Sequence, residues 1–209
     1  MVHVNNFYWF LTVSILINLA PGPDMIYTAA RSLAQGARAG IFSAIGIFAG
    51  CLVHISAAVF GLSTIINDSV FLFSIIKYAG AAYLVYLGIK AFFEKGTLNP
   101  ANESQANPSL KKIFFQGMVT NILNPKVALF FLSFLPQFID PSSGHIKEQI
   151  AFLGLWFDVQ GMIVLILVAM ITGLLKKVLL KKTDIWQWQQ KATGLILLGL
   201  GIKMLLSKK

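Results

Sequence analysis

The feature that most constrains this chain is a pair of proline-containing interruptions inside long apolar stretches. The first, 18–24, reads Asn-Leu-Ala-Pro-Gly-Pro-Asp, and the second, 121–126, reads Asn-Ile-Leu-Asn-Pro-Lys. A bilayer tolerates interrupted backbone only where protein or a watery cavity satisfies the freed polar groups. In transporters, such paired interruptions at corresponding places of two halves indicate the binding site. The sequence therefore predicts a protein that moves a small solute across a membrane.

The composition is typical of an integral membrane protein. Of the 209 residues, 56% are hydrophobic and only 12% are charged, whereas a soluble domain carries about 25% charged residues. The net charge of +9 would suggest nucleic-acid binding in a soluble protein. Here most basic residues lie in short segments between apolar stretches, which is the topology signal of membrane proteins. We therefore expect contact with a lipid bilayer and no nucleic-acid partner.

Six apolar stretches each exceed the roughly 20 residues that cross a bilayer. They are predicted as helices at about 7–29, 39–66, 70–92, 113–139, 149–175 and 186–206. The polar segment 94–112, which is rich in Asn and Pro, separates the first three from the last three. The first stretch lacks the basic start of a cleaved signal peptide, so we expect it to be retained. The chain is predicted to be one all-α transmembrane domain over 1–209, with its first and fourth helices broken at prolines.

An internal similarity divides the chain into repeats of about 1–93 and 113–209. Segments 78–92 and 191–205 align without a gap, and six of the fifteen positions are identical, including Leu-Gly-Ile-Lys in each. Membrane helices of similar composition also match by chance, so a coincidence is the alternative. Repeats with an odd number of spans enter the membrane from opposite sides. The prediction is therefore two inverted three-helix repeats.

The basic residues predict an orientation. Eleven Lys and Arg residues fall on one side of the predicted helices and five on the other, with Lys126 unassigned. The positive-inside rule places the richer side in the cytoplasm, so both termini are predicted to lie outside. The terminal Lys208 and Lys209 oppose this assignment.

Asp24 is an acid within an apolar span, immediately after Pro23. Such a residue costs roughly 2.5–3.5 kcal/mol on insertion scales, so it is rarely kept without a use. The functional hypothesis is that its carboxylate faces a central cavity and binds a substrate ammonium, a proton, or each in turn. The alternative is that it caps the half-helix beginning at Pro23. Capping explains the residue type but not the break in the middle of the membrane.

The second interruption has the pattern of a helix start, with Asn124 as the N-cap, Pro125 in the first turn and Lys126 next. The functional hypothesis places the free N–H groups of this half-helix, with Lys126, against a carboxylate. Asp24 and Lys126 would then match the two ends of a zwitterion. The alternative is an ordinary helix start at the membrane surface, which would leave 113–123 as an interfacial segment.

Other polar residues inside the spans have weaker interpretations. Asp158 is either part of a proton path or a partner for a buried Lys or Asn. His54 is predicted to be a hydrogen-bonded packing residue, and Gln116 and Gln160 to link helices. Cys51 is the single cysteine, so it provides neither a disulfide nor a redox pair. With the three His scattered along the chain, we expect no metal site and no cofactor.

Small residues recur along the second span at spacings near four, a pattern that allows close helix packing. They are Gly40, Ala44, Gly46, Gly50, Ala57 and Gly61.

These motifs resemble the LysE/RhtB family of bacterial amino-acid exporters, and the similarity extends over essentially the whole chain. The matching elements are 18–26, Asn-Leu-Ala-Pro-Gly-Pro-Asp-Met-Ile, the following 36–41, and 121–139, which contains Asn-Pro-Lys. The resemblance implies proton-driven export of amino acids or close derivatives across the bacterial inner membrane, without indicating which one. The candidate substrate-binding residues are Asn18, Pro21, Gly22, Pro23, Asp24, Asn121, Asn124, Pro125 and Lys126. Asp24 and Asp158 are the candidates for proton coupling.

Other functional classes fit the sequence less well. A channel would need a pore lined by rings of polar groups, which six spans form only as a homo-oligomer. A membrane enzyme would need a nucleophile and base or a metal constellation, and the sequence provides neither. Export of a metal cation is a further alternative, weakened by the lack of a Cys/His ligand set.

Overall fold

The structure, a computed structural model, describes residues 6–63 and 108–175, together with single positions between 75 and 93 and between 191 and 202. Within these residues the chain is helical apart from short connections, and no strand occurs among them. The predicted third and sixth spans lie almost entirely outside the described residues, as does most of the polar segment 94–112. The similarity between 78–92 and 191–205 therefore stays a prediction.

Six α-helices account for most of the described chain. They are α1 (Phe7–Leu19), α2 (Pro23–Gln35), α3 (Ala37–Ala57), α4 (Leu110–Ile122), α5 (Pro125–Leu129) and α6 (Ile146–Leu174). Tighter or wider turns extend two of them. A π-helical turn, Ala58–Leu62, continues α3, while a π-helical turn, Phe130–Phe134, and a 3-10 turn, Leu135–Phe138, continue α5. A short 3-10 turn, Pro141–Ser143, precedes α6.

The predicted breaks in the first and fourth spans are confirmed. The axes of α1 and α2 meet at 50°, and those of α4 and the helical segment Pro125–Phe138 meet at 44°. Each second half begins with a proline, whose missing N–H is tolerated only in the first turn of a helix. Among the described residues, two helices are long and apolar enough to cross a membrane by themselves, and up to four spans result if each bent pair is one.

Helix boundaries near the basic residues differ from the prediction. α2 runs on to Gln35, and α3 begins only two residues later, because Gly36 turns the chain with a φ of 88°. That left-handed backbone is readily adopted by glycine. α4 begins at Leu110, where the Ser109 side chain accepts a hydrogen bond from the backbone N–H of Lys112. The last residues of the predicted polar segment are therefore helical.

Glycines bring α3 into close contact with α4. A Cβ added to Gly50 would lie 2.5 Å from the carbonyl oxygen of Met118, and one added to Gly117 would lie 2.6 Å from that of Ser43. Gly46 packs still more closely against the carbonyl of Phe114. The packing predicted for the small residues is thus confirmed there, whereas a Cβ on Gly61 has nothing within 4 Å among the residues that the structure describes.

A cluster of phenylalanines fixes the helices on one side of the two breaks. Phe10 of α1 packs against Phe130 and Phe138, and Phe130 stacks on Phe157 of α6. These side chains are buried in the largest apolar cluster. Burial of such side chains contributes about 1.5–3 kcal/mol each in water, whereas in lipid the packing itself holds helices together. The helices on one side of the two breaks are therefore packed together by this phenylalanine cluster.

Candidate functional site

The two helix breaks meet inside the bundle, where Lys126 from the second break completes the end of the first helix. The Lys126 Nζ donates hydrogen bonds to the carbonyl oxygens of Ala20, at 2.8 Å, and Ile17, at 3.2 Å. Carbonyl groups in the last turn of a helix lack helical partners, and a cation there is favoured by the helix dipole. The end of α1 is thus stabilised by a residue more than 100 positions away in the sequence.

Asp24 makes the reverse contact, from the first break to the second. Its Oδ2 accepts hydrogen bonds from the Nδ2 groups of Asn121 and Asn124, both at 2.8 Å. Gly22 is the N-cap of α2 and no side chain caps that end by a hydrogen bond, but Asp24 lies in the first turn, where the helix dipole favours an acid. The carboxylate also reaches across to the neighbouring half of the bundle.

Asn124 connects the two charged residues. Its Oδ1 accepts a hydrogen bond from the backbone N–H of Lys126 at 3.0 Å, and its Nδ2 donates to Asp24. The predicted N-cap at Asn124 is therefore confirmed, and the cap occupies one N–H that the functional hypothesis had left free for a ligand. Both Asn124 and Lys126 are buried inside the protein, and the alternative of a helix start at the membrane surface stays a prediction.

Gly22 leaves the space that the Lys126 side chain occupies. A Cβ at this position would lie 3.1 Å from the Lys126 Nζ and 3.3 Å from its Cε. The backbone φ of −162° is extended and open to any residue. The position therefore favours glycine because of the neighbouring lysine and not because of backbone strain.

A small cavity of about 30 Å³ lies beside these groups. Its polar lining consists of Asn18, Asp24, Cys51, Asn121, Lys126 and Asp158. Its apolar and small lining residues are Met25, Ile47, Phe48, Val127, Phe157, Gly161, Met162 and Leu165. A cavity of roughly 10–15 Å³ already holds a water molecule, so this one has room for water or a similarly small polar group. Binding of an amino acid therefore requires the surrounding helices to separate.

Three oxygen atoms around this cavity have no hydrogen-bond partner among the described residues. They are Oδ1 of Asp24, Oδ1 of Asn121 and Oδ2 of Asp158. The three side chains are 8%, 2% and 4% exposed, respectively. Buried polar atoms are nearly always paired, so orphaned acceptors in a native structure call for a ligand, an ion or water. The cavity is therefore prepared for a group that donates hydrogen bonds or carries positive charge.

Asp158 lies on α6 and lines the cavity together with Cys51 of α3. Among residues 6–63 and 108–175, no Lys or Asn side chain donates a hydrogen bond to the Oδ2 of Asp158, and pairing with a Lys or Asn elsewhere in the chain stays a prediction. Sequence reasoning did not place Cys51 in the site, because its position depends on how α3 is rotated against α6. The proton-path interpretation of Asp158 stays a prediction.

The remaining predicted site residues divide into those that line the cavity and those that shape the breaks. Asn18 lines it and donates a hydrogen bond from Nδ2 to the carbonyl of Phe157 at 3.0 Å. The residues that shape the chain without lining the cavity are Pro21, Gly22, Pro23, Asn124 and Pro125. Only part of the predicted set is therefore positioned to touch a ligand in this conformation.

The packing roles predicted for the other intramembrane polar residues are confirmed. The His54 Nε2 lies 3.0 Å from the carbonyl oxygen of Asn121 and so fixes the backbone that carries this ligand candidate. Gln160 accepts a hydrogen bond from Ser14 at 2.6 Å, which joins α6 to α1. Gln116 accepts one from Tyr27 at 3.1 Å, which joins α4 to α2.

Comparison with known proteins adds an independent line of support. Residues 15–208 match the family described as LysE type translocator. A Bacillus subtilis (strain 168) protein, described as the uncharacterized membrane protein YrhP, is 34% identical over 206 residues, covering 95% of this chain and 97% of that protein. The leucine efflux protein of Salmonella typhimurium (strain LT2) is 33% identical over 142 residues, covering 68% of this chain and 67% of that protein. No solved structure matches the chain.

Proposed function

Because the chain belongs to the LysE type translocator family, we propose that it exports amino acids or close derivatives from the cytoplasm across the bacterial inner membrane. The family predicted from the motifs is confirmed, and with it the expectation of a membrane transport protein that is not an enzyme. The substrate, the driving force and the orientation are parts of the proposal.

The observation that carries this proposal is the placement of opposite charges from the two helix breaks around one cavity. Asp24 and Lys126 both line it, and they follow Pro23 and Pro125 at matching positions of their half-helices. An amino acid carries an ammonium and a carboxylate on neighbouring carbons. We assign the ammonium to Asp24 and the carboxylate to Lys126. Hydrogen bonds to ionised groups are the stronger ones, so this pairing provides both affinity and orientation.

The apolar part of the cavity favours a substrate with an uncharged, apolar side chain. Ile47, Met162 and Leu165 provide much of this wall. Burying a charged side chain against such residues is expensive without a partner. The name of the related Salmonella proteins, leucine efflux protein, agrees with this preference. Leucine is therefore the first substrate to test.

The proposed mechanism is alternating access between two inverted three-helix repeats. The substrate binds between the two breaks, and rocking of the halves exposes it first to the cytoplasm and then to the outside. A proton that enters from outside neutralises Asp24 or Asp158 and so displaces the substrate ammonium. Return of the protonated, empty carrier completes an antiport cycle. The charge bias of the loops supports an orientation with both termini outside.

Transport in inverted membrane vesicles tests this function. The vesicles are offered a mixture of the common amino acids with and without a proton gradient, and accumulation is read by mass spectrometry. We expect gradient-dependent accumulation of leucine or a similar apolar amino acid. Asp24→Asn should abolish it, while Glu148→Gln, an exposed acid of α6, should not.

Two results would contradict the proposal. Accumulation of no amino acid by folded, correctly oriented protein would redirect attention to other cargo, such as metal cations. Equilibration of amino acids without accumulation, at a rate independent of the gradient, would instead indicate a channel.

A further inference from the structure

The three orphaned oxygens around the central cavity form a set of acceptors without donors. They come from three different helices, Asp24 from α2, Asn121 from α4 and Asp158 from α6. We propose that this set recognises a primary ammonium group, with each of the three side chains accepting one of its three N–H bonds. The inference rests on the proposed amino-acid export and adds Asp158 as a direct substrate ligand.

The number of hydrogen-bond donors distinguishes a primary ammonium group from other small ligands that fit this cavity. A water molecule has two hydrogens, so one of the three acceptors would stay unpaired. A secondary ammonium, as in proline or an N-methylated amino acid, also has two. A primary ammonium has three and is about the size of one water, which the cavity volume of about 30 Å³ admits.

The nearby Lys126 does not satisfy these acceptors. Its Nζ donates to the carbonyl oxygens of Ile17 and Ala20, and none of the three orphaned oxygens has it as a hydrogen-bond partner. Lys126 is therefore positioned beside the acceptors and remains available for the opposite end of the substrate. The first break thus carries Asp24 for the substrate ammonium, and the second carries Lys126 for the substrate carboxylate.

Asp24 and Asn121 are fixed in place by bonds on their other sides. The Oδ2 of Asp24 is held by two amide groups, while its Oδ1 has no donor among the described residues. One of those amides belongs to Asn121, whose Oδ1 is thereby left without a donor, and whose backbone carbonyl bonds His54. Asp158 lies beside Cys51 on the cavity wall. Such preorganisation lowers the cost of ordering the site when a ligand arrives.

Substrate analogues that differ only at nitrogen test the proposal. Accumulation of labelled leucine in inverted vesicles is measured in the presence of one of three competitors: unlabelled leucine, N-methylleucine or 2-hydroxy-4-methylpentanoate. The last two keep the carboxylate and side chain but offer two N–H bonds and a neutral hydroxyl, respectively. We expect N-methylleucine to compete at least about 10-fold less well, equivalent to about 1.4 kcal/mol, and the hydroxy acid not to compete measurably.

Failure of the ammonium inference and failure of the export proposal give different results in this assay. If leucine is exported and N-methylleucine competes equally, the ammonium inference is wrong and the export proposal stands. If another amino acid is exported instead, its own N-methyl derivative takes the place of N-methylleucine. If no amino acid is exported, both proposals are wrong. A strict requirement for Na⁺, shown by replacing sodium with choline, would mean that a metal cation fills the acceptors and would overturn the inference.

A variant of Asp158 provides the second test. Asp158→Ala removes one acceptor and leaves room for a methyl group, so the preference for leucine over N-methylleucine should fall at least about fivefold, close to 1 kcal/mol. A merely structural role would lower the transport rate without changing this ratio, which would overturn the assignment. Asp158→Val, which also removes the acceptor, replaces the alanine variant if that variant does not fold, and the same fall in preference is expected. Glu148→Gln, on the exposed face of the same helix, is the matched control.

Discussion

The two helix breaks use the same residue pattern in different ways. In both, a proline begins the second half-helix and a charged residue follows it. The second break is capped by its own Asn124 side chain. The first break has no side-chain cap, and the carbonyl groups that end α1 are bonded by Lys126.

This difference indicates that the first break depends on the second. Asp24 also receives both of its hydrogen bonds from Asn121 and Asn124 of the second half. A displacement between the halves would therefore leave α1 and Asp24 without their partners, whereas the cap on α5 would persist. This is the asymmetry expected of a carrier in which a ligand must replace contacts that are lost when the halves separate.

The largest effect is expected for Lys126→Met. This change removes the donor at the end of α1 and leaves the buried Asp24 without a neighbouring positive charge. Transport should fall to background, and the free energy of unfolding should drop by about 3–5 kcal/mol, as when a buried charge loses its partner. Vesicle transport and SDS titration in mixed micelles measure the two effects. Lys147→Met, at an exposed position of α6, is the control, and normal transport by Lys126→Met would refute the assigned role.

Two substitutions of Asn124 separate its cap from its contact with Asp24. Asn124→Asp keeps an oxygen for the N–H of Lys126 but removes the donor to Asp24 and sets two carboxylates together. Transport should fall about 10- to 100-fold, equivalent to the roughly 1.5–3 kcal/mol of a hydrogen bond to a charged group. Asn124→Ala loses both contacts and should lower stability by a further 1 kcal/mol or so from the missing cap. Equal transport by Asn124→Asp and the wild type would mean that capping is its only role.

A smaller effect is expected for Gly22→Ala. The added methyl group would lie 3.1 Å from the Lys126 Nζ, which forces the lysine to move by a few tenths of an ångström. Overpacking of this kind costs about 1 kcal/mol or slightly more, so transport should fall by a factor of about 5–10. Gly61→Ala is the control because, within the described ranges 6–63 and 108–175, nothing lies within 4 Å of its Cβ position. A loss as large in Gly61→Ala would show that steric contact with Lys126 is not the cause.

The smallest effect is expected for Ser109→Ala at the start of α4. This side chain caps the helix through the N–H of Lys112, at 3.3 Å, outside the region of the breaks. Loss of such a cap lowers stability by about 0.5–1 kcal/mol. Transport should be unchanged when rates are corrected for the amount of folded protein. A selective loss of transport would extend the functional site beyond the two breaks.

The local features of this site were predictable from the sequence. Proline within an apolar stretch predicts a break, and Asn before Pro-Lys predicts a capped helix start. Both are present at 121–126. The small residues of the second span likewise predicted its close packing against another helix. Each of these inferences needs only the spacing of residues along one segment.

The partners of the charged residues were not predictable in the same way. Asp24 bonds to residues 97 and 100 positions away, and nothing in the local pattern indicates which amides approach it. The same holds for the bonds from Lys126 to the carbonyls of α1 and for the position of Cys51 beside Asp158 on the cavity wall. These contacts depend on helix rotation and crossing, which are set by the packing of the whole bundle. A single residue, Gly36, also joined two helices where a longer connection was expected.

A double-mutant cycle on Asp24 and Lys126 tests the central claim most directly, that polar contacts between the two breaks stabilise the first one. The free energies of unfolding of Asp24→Asn, Lys126→Met and the double variant are compared with that of the wild type. The account predicts that the double variant is more stable than the sum of the single effects implies, by about 1–3 kcal/mol. Additivity within about 0.5 kcal/mol, the result for independent sites, would contradict it.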